Sequence, residues 1–181
     1  MRKFLIVFLA IIGFSSFANA QNFTVRFGPQ LTLAPGIGFA IDANVQGKEL
    51  ARFSSSLSLG LNGSFVLGFG NGVSFLLSVG PTLNIEFDPK GDVFFGFNLG
   101  VAGGGGGGAA FIFGFVSGVH YFVTSSINLF TNLALIVVPG INGSLDFGAD
   151  FRLSRDINLY GKFVVGFGGS FGLGTGLTFR F

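Results

Sequence analysis

His120 is the only histidine in this chain of 181 residues, and it is the first side chain to consider for chemistry. An imidazole beside a carboxylate can act as a general base or bind a metal, and Glu86 and Asp92 are its conceivable neighbours. Cysteine is absent, which excludes disulfides and thiolate metal sites. A lone histidine is more often a hydrogen-bonded structural residue than a catalytic one. The sequence therefore predicts no enzymatic activity, no metal and no cofactor.

Charged side chains are the second set of candidates. After residue 20 the chain has 16 charged residues, and 14 of them have even numbers. Successive side chains of a β-strand point to opposite faces, so residues of one parity share a face. Charges on a shared face either neutralise one another in salt bridges or face water, and the sequence leaves both readings open. The salt-bridge hypothesis concerns six residues: Arg26, Glu86, Asp150, Arg152, Lys162 and Arg180.

Phenylalanine residues mostly have odd numbers, whereas the charged residues mostly have even ones. This alternation indicates that β-strands position the charges. Of the 23 Phe residues after residue 20, 20 have odd numbers. A period of two along the whole stretch predicts strands in a sheet with one apolar face and one polar face. The fold class is therefore predicted to be all-β.

The first twenty residues have a different character. Arg2 and Lys3 precede an apolar run from residue 4 to residue 12, and Ala18-Asn19-Ala20 has the small residues of a cleavage site. This pattern predicts a signal peptide over residues 1–20. Residues 21–181 then form one domain. Its eight acidic and eight basic residues cancel, so no nucleic-acid partner is predicted.

The composition favours a sheet that spans a membrane. The mean hydropathy is +0.71 and only 10% of the residues are charged, yet no stretch of 18 apolar residues follows the leader. This excludes membrane-spanning helices and argues against an ordinary soluble domain. A sheet in hydrocarbon must close, because every backbone polar group needs a partner there. The alternative, a soluble lipid-carrier barrel with Phe inside, lacks room for about twenty Phe side chains.

Clusters of Gly, Pro, Asn, Asp and Ser divide the chain into strands. Asn62-Gly63 has the composition of a two-residue hairpin turn, but the apolar positions stay odd on both sides of it. It is therefore predicted to lie within the third strand, and the hairpin of strands three and four to project beyond the membrane. We predict a closed antiparallel transmembrane β-barrel of ten strands, with eight or twelve as alternatives. The predicted strands cover residues 23–33, 37–45, 52–69, 73–87, 93–101, 110–123, 127–138, 144–153, 157–167 and 171–181.

The last strand carries a recognisable pattern. Leu177, Phe179 and the terminal Phe181 point to one face, and Arg180 points to the other. This strand resembles the C-terminal strand of bacterial outer-membrane β-barrel proteins, among which the small OmpX and OmpW types are the nearest analogues. The resemblance implies a location in outer-membrane lipid and insertion by the barrel-assembly machinery, which would recognise Leu177, Phe179 and Phe181 as an assembly signal. The chain departs from that class in having no Trp for aromatic girdles.

The two predicted ends of the barrel differ in charge. Most of the charges lie toward the end that holds the predicted turns at 46–51, 88–92, 124–126 and 154–156, which is the periplasmic end if the first strand starts there. The opposite rim has no charge.

Seven apolar residues have even numbers and are therefore predicted to lie on the otherwise polar inner face of the barrel. They suggest an apolar stripe that could receive a small hydrophobic or lipidic solute, while the favoured alternative is that they simply fill a narrow lumen. The stripe consists of Phe94, Ile112, Val116, Phe122, Phe130, Ile136 and Val138.

Three functions follow from these features. A structural or surface role without catalysis is favoured, because the chain shows barrel-forming features and little else. A channel for small or hydrophobic solutes is the alternative, suggested by the apolar stripe and by a glycine-rich inner wall. An adhesin ranks last, because it would need long polar loops, and this chain has short, glycine-rich ones such as residues 103–108.

Overall fold

A computed structural model describes residues 23–34, 36–70, 72–105 and 107–181. The predicted signal peptide, residues 1–20, lies outside the described residues. No helix in the described part of the chain is long and apolar enough to span a membrane. The strands are β1 (Phe23–Ala34), β2 (Gly38–Arg52), β3 (Leu57–Gly70), β4 (Gly72–Asp88), β5 (Gly91–Gly104), β6 (Ala110–Thr124), β7 (Ile127–Val138), β8 (Asn142–Arg152), β9 (Ile157–Gly166) and β10 (Phe171–Arg180).

The ten strands form one closed antiparallel barrel. Each strand pairs with its neighbours in sequence, and β1 pairs with β10 to complete the ring. At this closing seam Thr24 lies opposite Arg180, and the amide of Phe181 donates to the carbonyl of Phe23 at 2.9 Å. The predicted fold class is confirmed with ten strands, and the alternatives of eight and twelve are excluded. Closure matters because it leaves no edge strand with unpaired backbone groups.

The two faces of the sheet have the predicted parity. Exposed large apolar side chains occur on all ten strands, from Phe27 on β1, which is 51% exposed, to Leu177 on β10. Even-numbered polar residues such as Asp150 and Thr178 are buried inside. This arrangement inverts that of a soluble protein and suits an outer face in hydrocarbon.

Strand β3 continues through Asn62-Gly63, as predicted. Asn62 lies opposite Gly80 and Gly63 lies opposite Val79, both within an unbroken ladder with β4. A hairpin turn there is excluded.

The predicted turn at residues 46–51 is wrong. Strand β2 continues to Arg52, and the chain turns at residues 53–56 instead. The pairing of β2 with β3 shifts between Gly47 and Ala51, so residues 48–50 form an irregularity within the strand. Bulges and turns are both rich in polar residues, so the sequence pattern at residues 46–51 fits either of them.

The barrel has two ends of different composition. The terminal end contains Phe23, Phe181 and the turns at residues 53–56, 89–90, 125–126 and 153–156. The glycine end contains the segments that join β1 to β2, β3 to β4, β5 to β6, β7 to β8 and β9 to β10. None of these five segments has a charged residue in its sequence. The charged residues nearest to the glycine end are Asp42, Asp146 and Lys162, each four residues inside its strand.

Two prolines interrupt the backbone ladders. Pro29 on β1 faces β10, where the pairs stop after Phe27–Leu177 and resume at Gln30–Gly174. Pro81 on β4 faces β5 and leaves a similar gap between the pairs Val79–Leu99 and Thr82–Gly96. Proline has no amide hydrogen to donate to the opposite strand.

Candidate functional site in the barrel lumen

The first ionic cluster of the lumen centres on Asp150 of β8. Arg26 of β1 reaches it across the barrel, with Nη2 at 2.9 Å from Oδ2. Thr178 of β10 donates to Asp150 at 2.6 Å and Asn128 of β7 donates at 3.1 Å. Asp150 is 1% exposed and Arg26 is 7% exposed. A buried carboxylate with one guanidinium and two neutral donors is fully compensated, so this cluster ties four strands together.

The aromatic ring of Phe130 lies in the lumen at the same level as Arg26. The guanidinium of Arg26 lies 4.0 Å from the ring centroid of Phe130 on β7, within the range of a cation–π contact. Strands β1 and β7 lie nearly opposite each other in the ring of ten. Gly148 on β8 makes room for this ring, because a Cβ there would lie 2.3 Å from Cζ of Phe130. Side chains from opposite walls therefore meet inside the barrel.

The second cluster centres on Lys162 of β9. Its Nζ contacts Asp42 of β2 and lies 3.1 Å from Oδ2 of Asp146 on β8. The hydroxyl of Tyr160 donates to Asp42 at 3.1 Å. Gly174 on β10 leaves space for the lysine chain, since a Cβ there would lie 2.9 Å from Cε of Lys162. A second bridge thus crosses the lumen toward the glycine end.

The third cluster contains the histidine. Asp92 of β5 accepts from Lys48 at 2.5 Å and lies 3.0 Å from Nδ1 of His120. The imidazole stacks on Phe94 with 5.6 Å between ring centroids. His120 is only 2% exposed, so no substrate can reach this pair without rearrangement of its surroundings. Of the two carboxylates expected near His120, the structure places Asp92 there and not Glu86. In the described part of the chain, no three His, Asp or Glu side chains are grouped as metal ligands.

The structure does not join the six charged residues of the predicted network into one group. Arg26 and Asp150 are in contact, whereas Lys162 belongs to the separate cluster with Asp42 and Asp146. Glu86 lies at the terminal end, where its exposed carboxylate is 3.7 Å from Arg52. Arg152 and Arg180 lie around a small depression at the same end, together with Asp150. The guanidinium of Arg180 lies 5.4 Å from the ring centroid of Phe122.

Sequence reasoning did not select six residues that form these clusters. Their signal was present, because all six have even numbers and therefore share the inner face. One of them, Lys48, lies in a predicted turn. The partners of each charge could not be found, since residues more than a hundred positions apart meet across the lumen, as Arg26 and Asp150 do. The six residues are Asp42, Lys48, Asn128, Asp146, Tyr160 and Thr178.

The structure divides the predicted apolar stripe. Phe94, Ile112, Val116 and Phe130 are buried in the lumen, and Phe122 and Ile136 are partly buried there. Val138 lies on the outer face instead and is 43% exposed. The pairing of β6 with β7 shifts between Phe113 and Gly114, so Val138 lies opposite outward-facing Phe113. This shift by one residue reverses the parity, which a uniform period of two cannot predict.

The comparisons with known proteins concern the fold. No protein-family model matches the chain, and no curated protein matches its sequence. Among solved structures, the chain is similar to the KdgM porin, with a TM-score of 0.56 and 6% identity over 87% of this chain and 99% of that one. It is also similar to the NanC porin, with a TM-score of 0.50 and 11% identity over 88% of this chain and all of that one. The chain therefore shares the barrel fold of these two porins, and at these identities the likeness extends to the fold alone.

Proposed function

We propose that this protein is a non-enzymatic β-barrel of the outer membrane with a closed lumen and a structural role in that membrane. The contact between Arg26 of β1 and Phe130 of β7 carries this proposal, because side chains from nearly opposite walls occupy the same level of the lumen. The Lys162 cluster crosses the lumen at a second level. A barrel crossed twice leaves little room for the diffusion of hydrated solutes.

The membrane location is supported by the outer face of the barrel. Large apolar side chains are exposed on every strand, and soluble proteins do not leave such a continuous surface uncovered. The porin-like fold and the predicted signal peptide favour the outer membrane among the membranes available to an exported protein. We further propose that the barrel-assembly machinery recognises β10 together with Phe181, which follows it. The outward-facing Leu177 is 37% exposed and Phe181 is 59% exposed.

The absence of catalysis is supported by the state of His120. Its Nδ1 is bonded to Asp92, one face of the ring is covered by Phe94, and the side chain is buried. A general base must reach the proton that it abstracts, and this imidazole has no access to a substrate.

Conductance across a planar bilayer tests the closed lumen. We expect the purified wild-type protein, folded as shown by a heat-modifiable shift on a gel, to produce no current steps. Phe130→Ala combined with Lys162→Ala removes one side chain from each of the two crossings, and we expect this double variant to produce current steps while keeping the gel shift. Phe95→Ala, a substitution on the outer face, is the matched control and should stay silent. Steady conductance of the wild-type protein would overturn the proposal.

A passage for small hydrophobic solutes is the second candidate. Buried apolar side chains of the inner face, including Ile112, Val116 and Val164, favour it because they provide apolar contacts inside the barrel. Uptake of a hydrophobic dye into vesicles that contain the barrel, in excess over empty vesicles, would support this candidate. If vesicles that contain the barrel take up no more dye than empty vesicles, the hydrophobic passage is excluded and the closed structural barrel remains.

A further inference from the structure

The tripeptide Asn-Gly-Ser occurs twice in the chain, at residues 62–64 and at residues 142–144. Asn62 lies in the middle of β3 and is 3% exposed, whereas Asn142 is the first residue of β8 and is exposed. In such a pair the backbone nitrogen of the glycine can attack the side-chain carbonyl carbon of the asparagine, because glycine has no side chain to hinder the approach. The barrel therefore holds one reactive sequence in two different surroundings.

At Asn142 the reacting atoms are already close together. The amide nitrogen of Gly143 donates to Oδ1 of Asn142 at 2.7 Å, and the carbon that would be attacked, Cγ, is bonded to that oxygen. Ile141 is 83% exposed, and a Cβ added at Gly140 would meet no atom within 4 Å. Asn142 also forms the last pair of the ladder between β7 and β8, opposite Ile136. The chain can therefore adjust here toward the geometry that attack requires.

At Asn62 the sheet holds the same atoms in place. Asn62 lies opposite Gln46 of β2 and Gly80 of β4, and both ladders continue past it in each direction. Its Oδ1 accepts from Nδ2 of Asn98 at 3.3 Å. For the nitrogen of Gly63 to reach Cγ, the backbone must rotate and give up pairs with both neighbouring strands. Reaction at this site therefore requires local unfolding in the middle of the sheet.

We propose that Asn142 is a site of spontaneous deamidation and that the fold protects Asn62 from the same reaction. A base in solution takes the amide proton of Gly143, and the nitrogen forms a bond to Cγ of Asn142. The Cγ–Nδ2 bond breaks, and the leaving group takes a proton from water and departs as ammonia. One water molecule then opens the succinimide ring. Cleavage between the nitrogen and Cγ gives aspartate, and cleavage between the nitrogen and the backbone carbonyl carbon gives isoaspartate.

The product changes the chemistry of the glycine end. Aspartate and isoaspartate each carry one carboxylate, beside connecting segments that contain no charged residue. In isoaspartate the main chain passes through Cγ and gains one atom. At Asn142 this atom is added at the end of a ladder, so the other pairs between β7 and β8 remain. The inference goes beyond the proposed function and rests only on the barrel fold.

Peptide mapping of the aged protein tests the proposal. The full chain, folded in neutral detergent micelles, is incubated in warm, mildly alkaline buffer and digested with chymotrypsin. Mass spectrometry with fragmentation then identifies aspartate and isoaspartate at each position. We expect Asn142 to be converted at least about tenfold faster than Asn62, because only Asn62 requires opening of the sheet. Equal rates in the folded barrel would overturn the proposal, and so would an Asn142 that stays intact while the unfolded chain is converted.

The urea-unfolded chain and a substitution are the matched controls. The two rates should agree within about twofold in the unfolded chain, because the tripeptides are identical. A tenfold difference that persists there would contradict the inference, since the fold would not be its cause. Asn142→Gln needs a larger ring for attack, so it should abolish conversion at position 142 and leave the rate at Asn62 unchanged. Asn71, which precedes Gly72 in a third such pair, lies outside the described residues, and cleavage after Phe69 separates its peptide.

Low concentrations of urea test the cause of the difference. Below the unfolding transition, the rate at Asn62 should rise with urea, because it depends on the population of opened ladders. The rate at Asn142 should change less than about twofold over the same range, because no ladder has to open there. Parallel increases at both sites would show that Asn142 also reacts only after unfolding, and they would overturn the proposal.

Discussion

The two halves of this barrel occupy one continuous sheet but differ in what fills them. The half toward the terminal end contains the Arg26 and His120 clusters, in which charged and aromatic side chains bridge strands that are not neighbours. The half toward the glycine end contains the single Lys162 cluster, and beyond it lie glycine and aliphatic residues such as Ile112 and Val164. The ladders hold both halves, so the difference lies in the side chains. One half has contacts across the lumen and charged residues out to its rim, and the other ends in an uncharged rim.

The largest expected effect comes from breaking the Arg26 cluster. Asp150→Ala leaves the buried guanidinium without its counter-ion and removes the acceptor of Thr178 and Asn128. We expect the free energy of unfolding in detergent to fall by about 3–5 kcal/mol, the range for a buried pair that loses one partner. A urea titration followed by the gel shift measures it.

Asp156→Ala is the control for this change. It removes the same group from an exposed turn at the same end, and we expect an effect within about 0.5 kcal/mol. If Asp150→Ala lowers the free energy of unfolding no more than Asp156→Ala does, the contacts of Asp150 across the lumen contribute nothing to stability.

A matched pair of glycines gives the next largest effect. Gly148→Ala places a Cβ against Phe130 and against the carbonyl oxygen of Gly161 at 2.6 Å, so the ring that crosses the lumen must move. We expect a loss of roughly 1–3 kcal/mol, as for overpacked cores. Gly161→Ala on the neighbouring strand meets nothing within 4 Å. Its effect should stay within about 0.5 kcal/mol. Similar losses for both would mean that Phe130 adapts freely.

The smallest expected effect concerns the ion pair at the mouth of the terminal end. Arg52 and Glu86 are 3.7 Å apart, with side chains 49% and 52% exposed. A double-mutant cycle of Arg52→Ala and Glu86→Ala should give a coupling free energy below about 1 kcal/mol, because water screens exposed pairs. A coupling free energy as large as the loss from Asp150→Ala would contradict this. It would show that the exposed pair stabilises the barrel as much as the buried cluster does.

Much of the fold could be predicted from the sequence because one physical rule governs nearly every residue. Lipid outside and polar contacts inside impose a period of two, and Phe27 and Asp150 obey it from opposite faces. The rule fails where the ladder shifts, at residues 48–50 and at Val138. Two extra residues in β2 and one in β7 interrupt the pairing there and leave no mark in composition.

The pairings within the lumen were beyond prediction for another reason. Which charges meet depends on the tilt and stagger of the closed sheet, and these are properties of the whole ring. The sequence shows that Lys162 and Asp42 share a face, but only closure brings β9 and β2 near enough for contact.

The two prolines differ in their consequence for how the barrel would come apart. Pro29 lies in the junction of β1 with β10, whose ladder has fewer paired residues than any other in the ring. Pro81 leaves its gap in the long ladder of β4 with β5, which continues on both sides of it. Deuterium uptake should therefore begin along the line between β1 and β10, and mechanical separation should open the ring there first.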